Sequence, residues 1–213
     1  MRLAAITSGV ILLSWILGFF GFVYAIGNYE LDTKTPTEAI VIFGDNKQKL
    51  YTAAALLKLG YAPLILLAND ENPASYKNYF KEQEIPEYQI IWDPEAVRSN
   101  KHYPTNTYLL LKKYGISSIR LVTLAEEMPR AIYETTNYLP RSAIVPHIVL
   151  VKNKSYRSIF IEYNKYLLVI LLSIFVYYKT LAFLLKRAFE PYPRREDFYI
   201  NYGIFLYLFF FLL

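Results

Sequence analysis

Two short apolar runs and the helical pattern between them constrain this chain more than any other feature. Residues 39–43 (AIVIF) are wholly apolar and end at Gly44-Asp45-Asn46; residues 64–68 are a second such run and end at Asn69-Asp70. Runs of this length, apolar on both faces and closed by turn residues, read as strands covered on both sides. Between them, residues 50–59 carry Ala and Leu at helical spacing, and Gly60 stands where a helix C-cap needs a left-handed residue. Strand, helix and strand within about thirty residues form a βαβ unit, so the two strands lie parallel with the helix packed across them.

The same grammar continues along the chain. Residues 75–84 read as an exposed charged helix, 88–92 as a third strand, and Thr105 as the cap of a helix that runs to Tyr114 and stops at Gly115. Residues 93–103 show no clear period. In residues 117–131, SSIRLVTLAEEMPRA, a β-branched apolar strand at 119–123 breaks at a polar turn. A helix follows, with Met128, Pro129 and Arg130 in its first turn, and runs to about Tyr138. Residues 143–151 form a last strand, interrupted at Pro146 and therefore expected at a sheet edge. The expected fold class is α/β: a Rossmann-like, mostly parallel sheet with helices on both faces, flanked by transmembrane helices.

The flanks follow from composition. Hydrophobic residues make up 54% of the 213 and aromatic residues 17%, and the excess sits in the first thirty and last fifty positions. Residues 3–26 carry no charge. As a helix they span roughly 36 Å, enough for a hydrocarbon core of about 30 Å. A cleaved signal peptide has a shorter apolar core, about 7–15 residues, so residues 1–28 are read as a retained anchor. Residues 29–38 form a polar linker that opens the soluble domain, 29–166. Residues 157–166 start another helix, and 167–185 hold one interior charge, Lys179. Residues 167–186 are accordingly read as a second transmembrane helix, with a long surface-lying amphipathic helix as the alternative. Residues 187–213 form a basic loop and a short apolar segment.

Charge sets topology and excludes a partner class. Residues 27–166 contain 17 Lys and Arg against 15 Asp and Glu, so the basic surplus lies at the ends, in Arg2, Lys186, Arg187, Arg194 and Arg195. That placement argues against nucleic acid. It places both basic flanks on the cytoplasmic side, with the intervening domain expected outside the inner membrane. With no cysteine, disulfides and thiolate catalysis are excluded. His102 and His147, the only histidines, are read as structural or exposed, and no metal site is expected.

Ligands of open parallel sheets gather at the carboxyl ends of the strands. Those ends are polar here: Gly44-Asp45-Asn46, Asn69-Asp70, Asp93, and Thr123 leading to Glu126 and Glu127. Arg130 stands out, because a cation in the first turn of a helix opposes the helix dipole by about 0.3–1 kcal/mol. Its place makes sense if it holds an anion together with free N–H groups, or if it pairs with Glu126 or Glu134 four residues away. Glu162 heads the last helix just before the apolar run. Sequence signatures of phosphate loops, dinucleotide folds, serine hydrolases and zinc proteases are absent.

Residues 39 to about 166 resemble the YdcF/SanA/ElyC group of bacterial envelope proteins. The matching pieces are AIVIFGDN, LLKLGYAPLILLAND, SSIRLVTLAEEMPRA, IVPHIV and EYNKYL, of which VT followed by EMPRA is the most specific. The chain departs from the pattern at Asp45 for a second Gly, at Lys49 for an Arg, and at Glu127 for a His; the family's Thr–Asn motif has no clean counterpart near Asn100, Thr105, Asn106 and Thr107. The resemblance implies a membrane-tethered Rossmann-like domain serving the cell envelope, in peptidoglycan or lipid-carrier metabolism. Its ligand is expected to be anionic, phosphorylated or linked to a lipid, such as an envelope precursor. The expected binding residues are Gly44, Asp45, Asn46, Lys49, Asn69, Glu127, Arg130 and Glu162, with Arg130 on the anion and Lys49 assisting. One branch of the group is linked to S-adenosylmethionine. A nucleotide-type module, with Gly44 near a ribose or adenine and Asp70 ending the second strand, is therefore one alternative, and an inactive scaffold another.

Overall fold

A computed structural model describes residues 2–43, 46–67, 73–92, 103–151 and 155–189. In chain order the elements are α1 (Arg2–Gly27), β1 (Ala39–Ile42), α2 (Lys47–Lys58), β2 (Ile65–Leu67), α3 (Pro73–Glu82), β3 (Ile90–Trp92), α4 (Tyr103–Tyr114), β4 (Ile119–Leu124), α5 (Met128–Thr135), β5 (Ile144–Val149) and α6 (Tyr156–Phe189). The five strands form one parallel sheet in the order β3-β2-β1-β4-β5. The α/β fold expected from the βαβ pattern is present, and the order reverses between β1 and β4. Their carboxyl ends therefore flank a topological switch point, where ligands of such sheets bind.

Strand alternation supplies each face with its own core. Ile40, Ile42, Ile65 and Leu67 pack with Leu50, Ala53 and Leu57 of α2 and Phe80 of α3. On the other face Val41, Phe43 and Leu121 meet Thr107 and Leu111 of α4 and Thr135 of α5.

The element ends differ from the sequence reading in ways local chemistry explains. The α2 helix begins at Lys47, before its apolar stripe, because the Asn46 side chain accepts from the Gln48 N–H at 2.8 Å. Gly60 and Gly115 both take positive φ, +79° and +65°, as helix-ending glycines do. The α4 helix starts at Tyr103, so Thr105 lies inside it and is not its cap. Glu87–Gln89 form a 3-10 turn, which shortens β3. The β5 strand runs unbroken through Pro146, which pairs in register with Leu121; at an edge strand the missing N–H on the open side costs no ladder bond. The helix expected from 157 and the apolar run from 167 are one helix, α6.

The chain divides into two compact units, Met1–Tyr163 and Asn164–Leu213. The second unit, as described, is the remainder of α6, with Leu168, Leu171, Phe175 and Leu184 exposed. Two helical stretches, Ile6–Gly27 and Tyr156–Leu185, are long and apolar enough to cross a membrane.

Within the first unit, α1 is fixed to the domain at two places. Tyr163 lies among Trp15, Phe19 and Phe22, with ring centroids 5.4–5.8 Å apart, and its hydroxyl donates to the Trp15 carbonyl at 2.8 Å. Gly18 makes room for that ring: a Cβ there would stand 2.5 Å from the Tyr163 oxygen. The linker after α1 is strapped to the sheet by Arg120 of β4. This fully buried guanidinium donates to the Asp32 and Thr35 carbonyls at 2.6 and 2.5 Å and covers the Tyr61 ring at 4.7 Å. The backbone N–H and hydroxyl of Thr35 and the N–H of Lys34 donate to the Asp32 carboxylate, and with Arg120 nearby they hold its pKa down to about 2.

The linker also shows which end of the sheet α1 meets. Leu31 lies beside Gln48 and Leu150, at the carboxyl end, whereas Thr37 bonds to the Tyr61 carbonyl at the amino end. The chain thus leaves α1 at the carboxyl end of the sheet and descends to enter β1. The first turns of α6 pass the same end, since Ser158 donates to Glu126 in the turn after β4.

Gly18→Ala should destabilise the full chain in detergent by about 1–3 kcal/mol through overpacking, while Gly21→Ala, whose added Cβ meets nothing within 4 Å, should be near neutral. Tyr163→Phe in the Gly18→Ala background should recover part of the loss. Equal melting temperatures for the two alanine variants would show that Gly18 does not seat Tyr163.

Candidate functional site

Two ion clusters form at the switch point, and both are built by the β4–α5 segment. The first is centred on Lys49. Its place in the first turn of α2 turns its side chain inward, and the residue is only 1% exposed. An ammonium so buried needs partners. It donates to the Phe43 carbonyl at the end of β1, at 2.7 Å, and to Glu127 Oε2 at 2.5 Å. The buried Thr123 hydroxyl donates to the same carboxylate oxygen and lies 3.2 Å from the Phe43 carbonyl. Glu127 sits at the N-cap of α5, where a carboxylate is favoured by the helix dipole. Lys49 and Glu127, both expected at the site, thus meet each other there.

The second cluster is centred on Arg130. Its guanidinium lies 4.8 Å from the centre of the Phe43 ring. Glu162 Oε2 is 3.2 Å from both Nε and Nη2, and Glu134 Oε1 is 3.4 Å from Nη1. Each carboxylate engages the guanidinium through a single oxygen in these contacts. Burial pushes the Glu134 pKa up and the negative Glu162 adds to the rise, while Arg130 opposes it. Glu134 Oε2 is buried without a partner. Of the two readings of Arg130 from sequence, the pairing with Glu134 is present, and Glu162, named there as a separate site residue, lies against the same cation. Glu126 pairs instead with Ser158.

The remaining expected residues divide. Asn46 is the α2 cap, held by its own backbone turn. Gly44, Asp45, Asn69, Asp70, Asp93, Asn100 and His102 lie outside the described residues. His147 stands apart from both clusters, in a groove of about 390 Å³ with Leu31, Gln48, Tyr51, Thr52 and Leu150. Burial and the nearby Arg120 push its pKa down. Among the described residues no group of His, Cys, Asp and Glu has the arrangement of a metal site.

Phe43 was missed, and Thr123 and Glu134, though named from sequence as a polar strand end and as a partner for Arg130, were not placed among the binding residues. Thr123 and Phe43 end the two strands at the switch point, so the strand order would have singled them out. Glu134 lies one helical turn after Arg130, the spacing that brings side chains together.

Removing either member of the Lys49–Glu127 pair leaves a charge without its partner, so Lys49→Met or Glu127→Gln alone should each cost about 3 kcal/mol in denaturant unfolding of the full chain. The double variant should cost clearly less than the sum. Additive losses would mean the two charges are not coupled.

Comparison with known proteins gives relatives that match this chain over most of their own length. The chain is 32% identical over 160 residues to the uncharacterized protein RC1356 of Rickettsia conorii, covering 74% of this chain and 92% of that protein. It is 31% identical over 157 residues to the uncharacterized protein RP875 of Rickettsia prowazekii, covering 72% and 89%. No family model and no solved structure matches the chain. At this identity and coverage, the chain belongs to the protein family that includes RC1356 and RP875 of Rickettsia.

Proposed function

We propose that this chain is a membrane-anchored domain of the bacterial inner membrane, facing the periplasm, that serves cell-envelope biogenesis by binding an anionic, phosphorylated ligand at the switch point. The observation that carries this reading is Arg130: a guanidinium at the carboxyl edge, backed by Phe43 and held by single oxygens of Glu134 and Glu162. A phosphate offers the fork a better, bidentate partner than either carboxylate contact. The basic flanks Arg2, Lys186 and Arg187 and the resemblance to YdcF-like envelope proteins support the placement.

Glu134 gives the binding a pH dependence. Its raised pKa keeps it protonated to higher pH than an ordinary carboxyl. As pH falls through that raised value, one of the two carboxylate charges beside Arg130 is lost and its Nη1 is released, while Glu162 stays against Nε and Nη2, so anion binding strengthens. In linkage terms, the stability this group contributes is fully present below the ordinary carboxylate range and is lost as pH rises through the raised value.

A second reading, an inactive scaffold, is favoured by Lys49. Its ammonium is engaged by Phe43 and Glu127, so it is not placed to assist with an anion. The S-adenosylmethionine alternative rests on Gly44 and Asp70, which lie outside the described residues.

Calorimetric titration of the full chain in detergent with glycerol 3-phosphate separates these readings. The ligand reading expects binding that strengthens as pH falls, a loss of about tenfold or more in Arg130→Gln, and weaker pH dependence in Glu134→Gln. Absence of binding by the parent at every pH, with Arg130→Gln still supporting envelope integrity in cells, supports the scaffold.

A further inference from the structure

Two buried polar atoms on the α2 face of the sheet lack partners, and they belong to neighbouring side chains. His147 of β5 pairs in register with Val122 of β4, and Arg120 lies two residues before Val122. The imidazole and the guanidinium therefore rise from the same face, at diagonal positions. Val122 belongs to the core with Leu50 and Ala53 of α2, which identifies that face. Arg120 donates through Nη1 and Nη2 to the Asp32 and Thr35 carbonyls of the linker, while its Nε is buried without a hydrogen bond. His147 Nδ1 is buried without one as well.

The linker borders the groove in which His147 lies. Leu31 lines it together with Gln48, Tyr51 and Thr52 of α2. The next residue, Asp32, gives its carbonyl to Arg120. One short stretch, residues 31–35, thus walls the imidazole's groove at one end and is tied down by the guanidinium at two points.

A single proton changes the balance here. A neutral imidazole keeps one nitrogen as an acceptor, which suits a face where the Arg120 Nε–H has no acceptor. In the imidazolium both nitrogens donate, and a second cation then stands near a fully buried guanidinium. The charged and titratable groups around it are Arg120 from β4, Tyr51 from α2 and Asp32 from the linker. The Asp32 carboxylate is already engaged: it accepts from the N–H groups of Lys34 and Thr35 and from the Thr35 hydroxyl, and lies 3.9 Å from Arg120 Nη2. Among the described residues that line the groove there is no carboxylate. Burial and Arg120 accordingly push the His147 pKa below the ordinary histidine value. The segment free to yield is the linker, since Leu31, Thr33, Lys34 and Thr35 are exposed, whereas β4 and α2 are held in the core.

We infer that residues 31–35 are a proton-sensitive strap: protonation of His147 releases them from Arg120 and opens the groove to water, so that α1 keeps its contact with α6 at Tyr163 and loses its hold on the sheet through the linker. The released state takes up the proton more readily than the strapped one. The strap is therefore fully stable above about pH 6.5, the ordinary histidine value, and weakens as pH falls from there toward the depressed value. The device is independent of any ligand at the Arg130 cluster.

The chain has no cysteine, so Thr33→Cys and Leu59→Cys place one spin label on the linker and one at the end of α2, both at exposed positions. Double electron–electron resonance on the full chain in detergent reads their separation from about pH 8 to about pH 5, which spans the histidine range. One narrow distance is expected at the alkaline end. A second, broader one should appear below about pH 6.5 and grow by up to about tenfold per pH unit. Asp32, with its pKa near 2, stays ionised throughout. His147→Asn and His147→Gln should both keep the narrow distance at every pH. His102→Gln, which removes the other histidine, should leave the transition unchanged, and Arg120→Met should show the broad distance at every pH. A parent distance that does not change with pH overturns the inference. So does a transition that survives in the His147 variants or vanishes in His102→Gln, and so does a narrow distance in Arg120→Met, since the guanidinium is then not what holds the linker.

Discussion

The buried ammonium of Lys49 is the interaction on which the carboxyl end of the sheet depends. An unpaired charge at that depth costs several kcal/mol, so its partners are held by necessity. They come from two separate places: the Phe43 carbonyl ends β1, and Glu127 opens α5 after β4. The pair therefore draws together the two strand ends between which the sheet reverses its order. The buried Thr123 hydroxyl completes the link from within β4. With Glu127 fixed, the first turn of α5 has one placement, and Arg130 in that turn lies over the Phe43 ring. Lys49, expected from sequence to assist with an anion, is paired with Glu127 at the start of the helix that carries Arg130.

The second constraint is where the chain enters and leaves the domain. Arg120 straps the linker along the sheet, so that α1 meets the domain at the carboxyl end although the linker enters β1 at the amino end. The α6 helix begins at that same carboxyl end, and Tyr163 ties its second turn to α1. The end of a parallel sheet that collects ligands is therefore also the end at which α1 joins the domain and α6 begins. In the proposed membrane setting, site and bilayer surface are neighbours because of this arrangement.

Much of the fold was legible in the sequence because its signals are local. Doubly apolar five-residue runs, a helical stripe and Gly60 define a parallel unit without knowledge of anything distant. Element ends were less legible, since they depend on single bonds such as the Asn46 cap. The site was legible in part. Lys49, Glu127, Arg130 and Glu162 were each singled out, but their pairing was not, because Lys49 and Glu127 are 78 residues apart and meet only through the strand order. Arg120 gave no signal at all: a cation within an apolar strand reads as an exposed position, and only the returning linker explains its burial. The carboxylate of Glu127 has a plain physical role in the structure, since it neutralises the buried ammonium of Lys49.

The central claim is that the carboxyl end of the sheet, with its Arg130 cluster, faces the bilayer. The absence of cysteine makes it directly measurable by single-cysteine spin labels on exposed positions of the full chain in nanodiscs. Leu150 and Tyr156 lie at the carboxyl end, and Leu59 and Tyr88 at the amino end, all strongly exposed. Power-saturation measurements should show labels at 150 and 156 more accessible to oxygen, which concentrates in lipid, and labels at 59 and 88 more accessible to a water-soluble nickel chelate. Equal chelate access at both ends, or lipid contact at 59 and 88, would contradict the account.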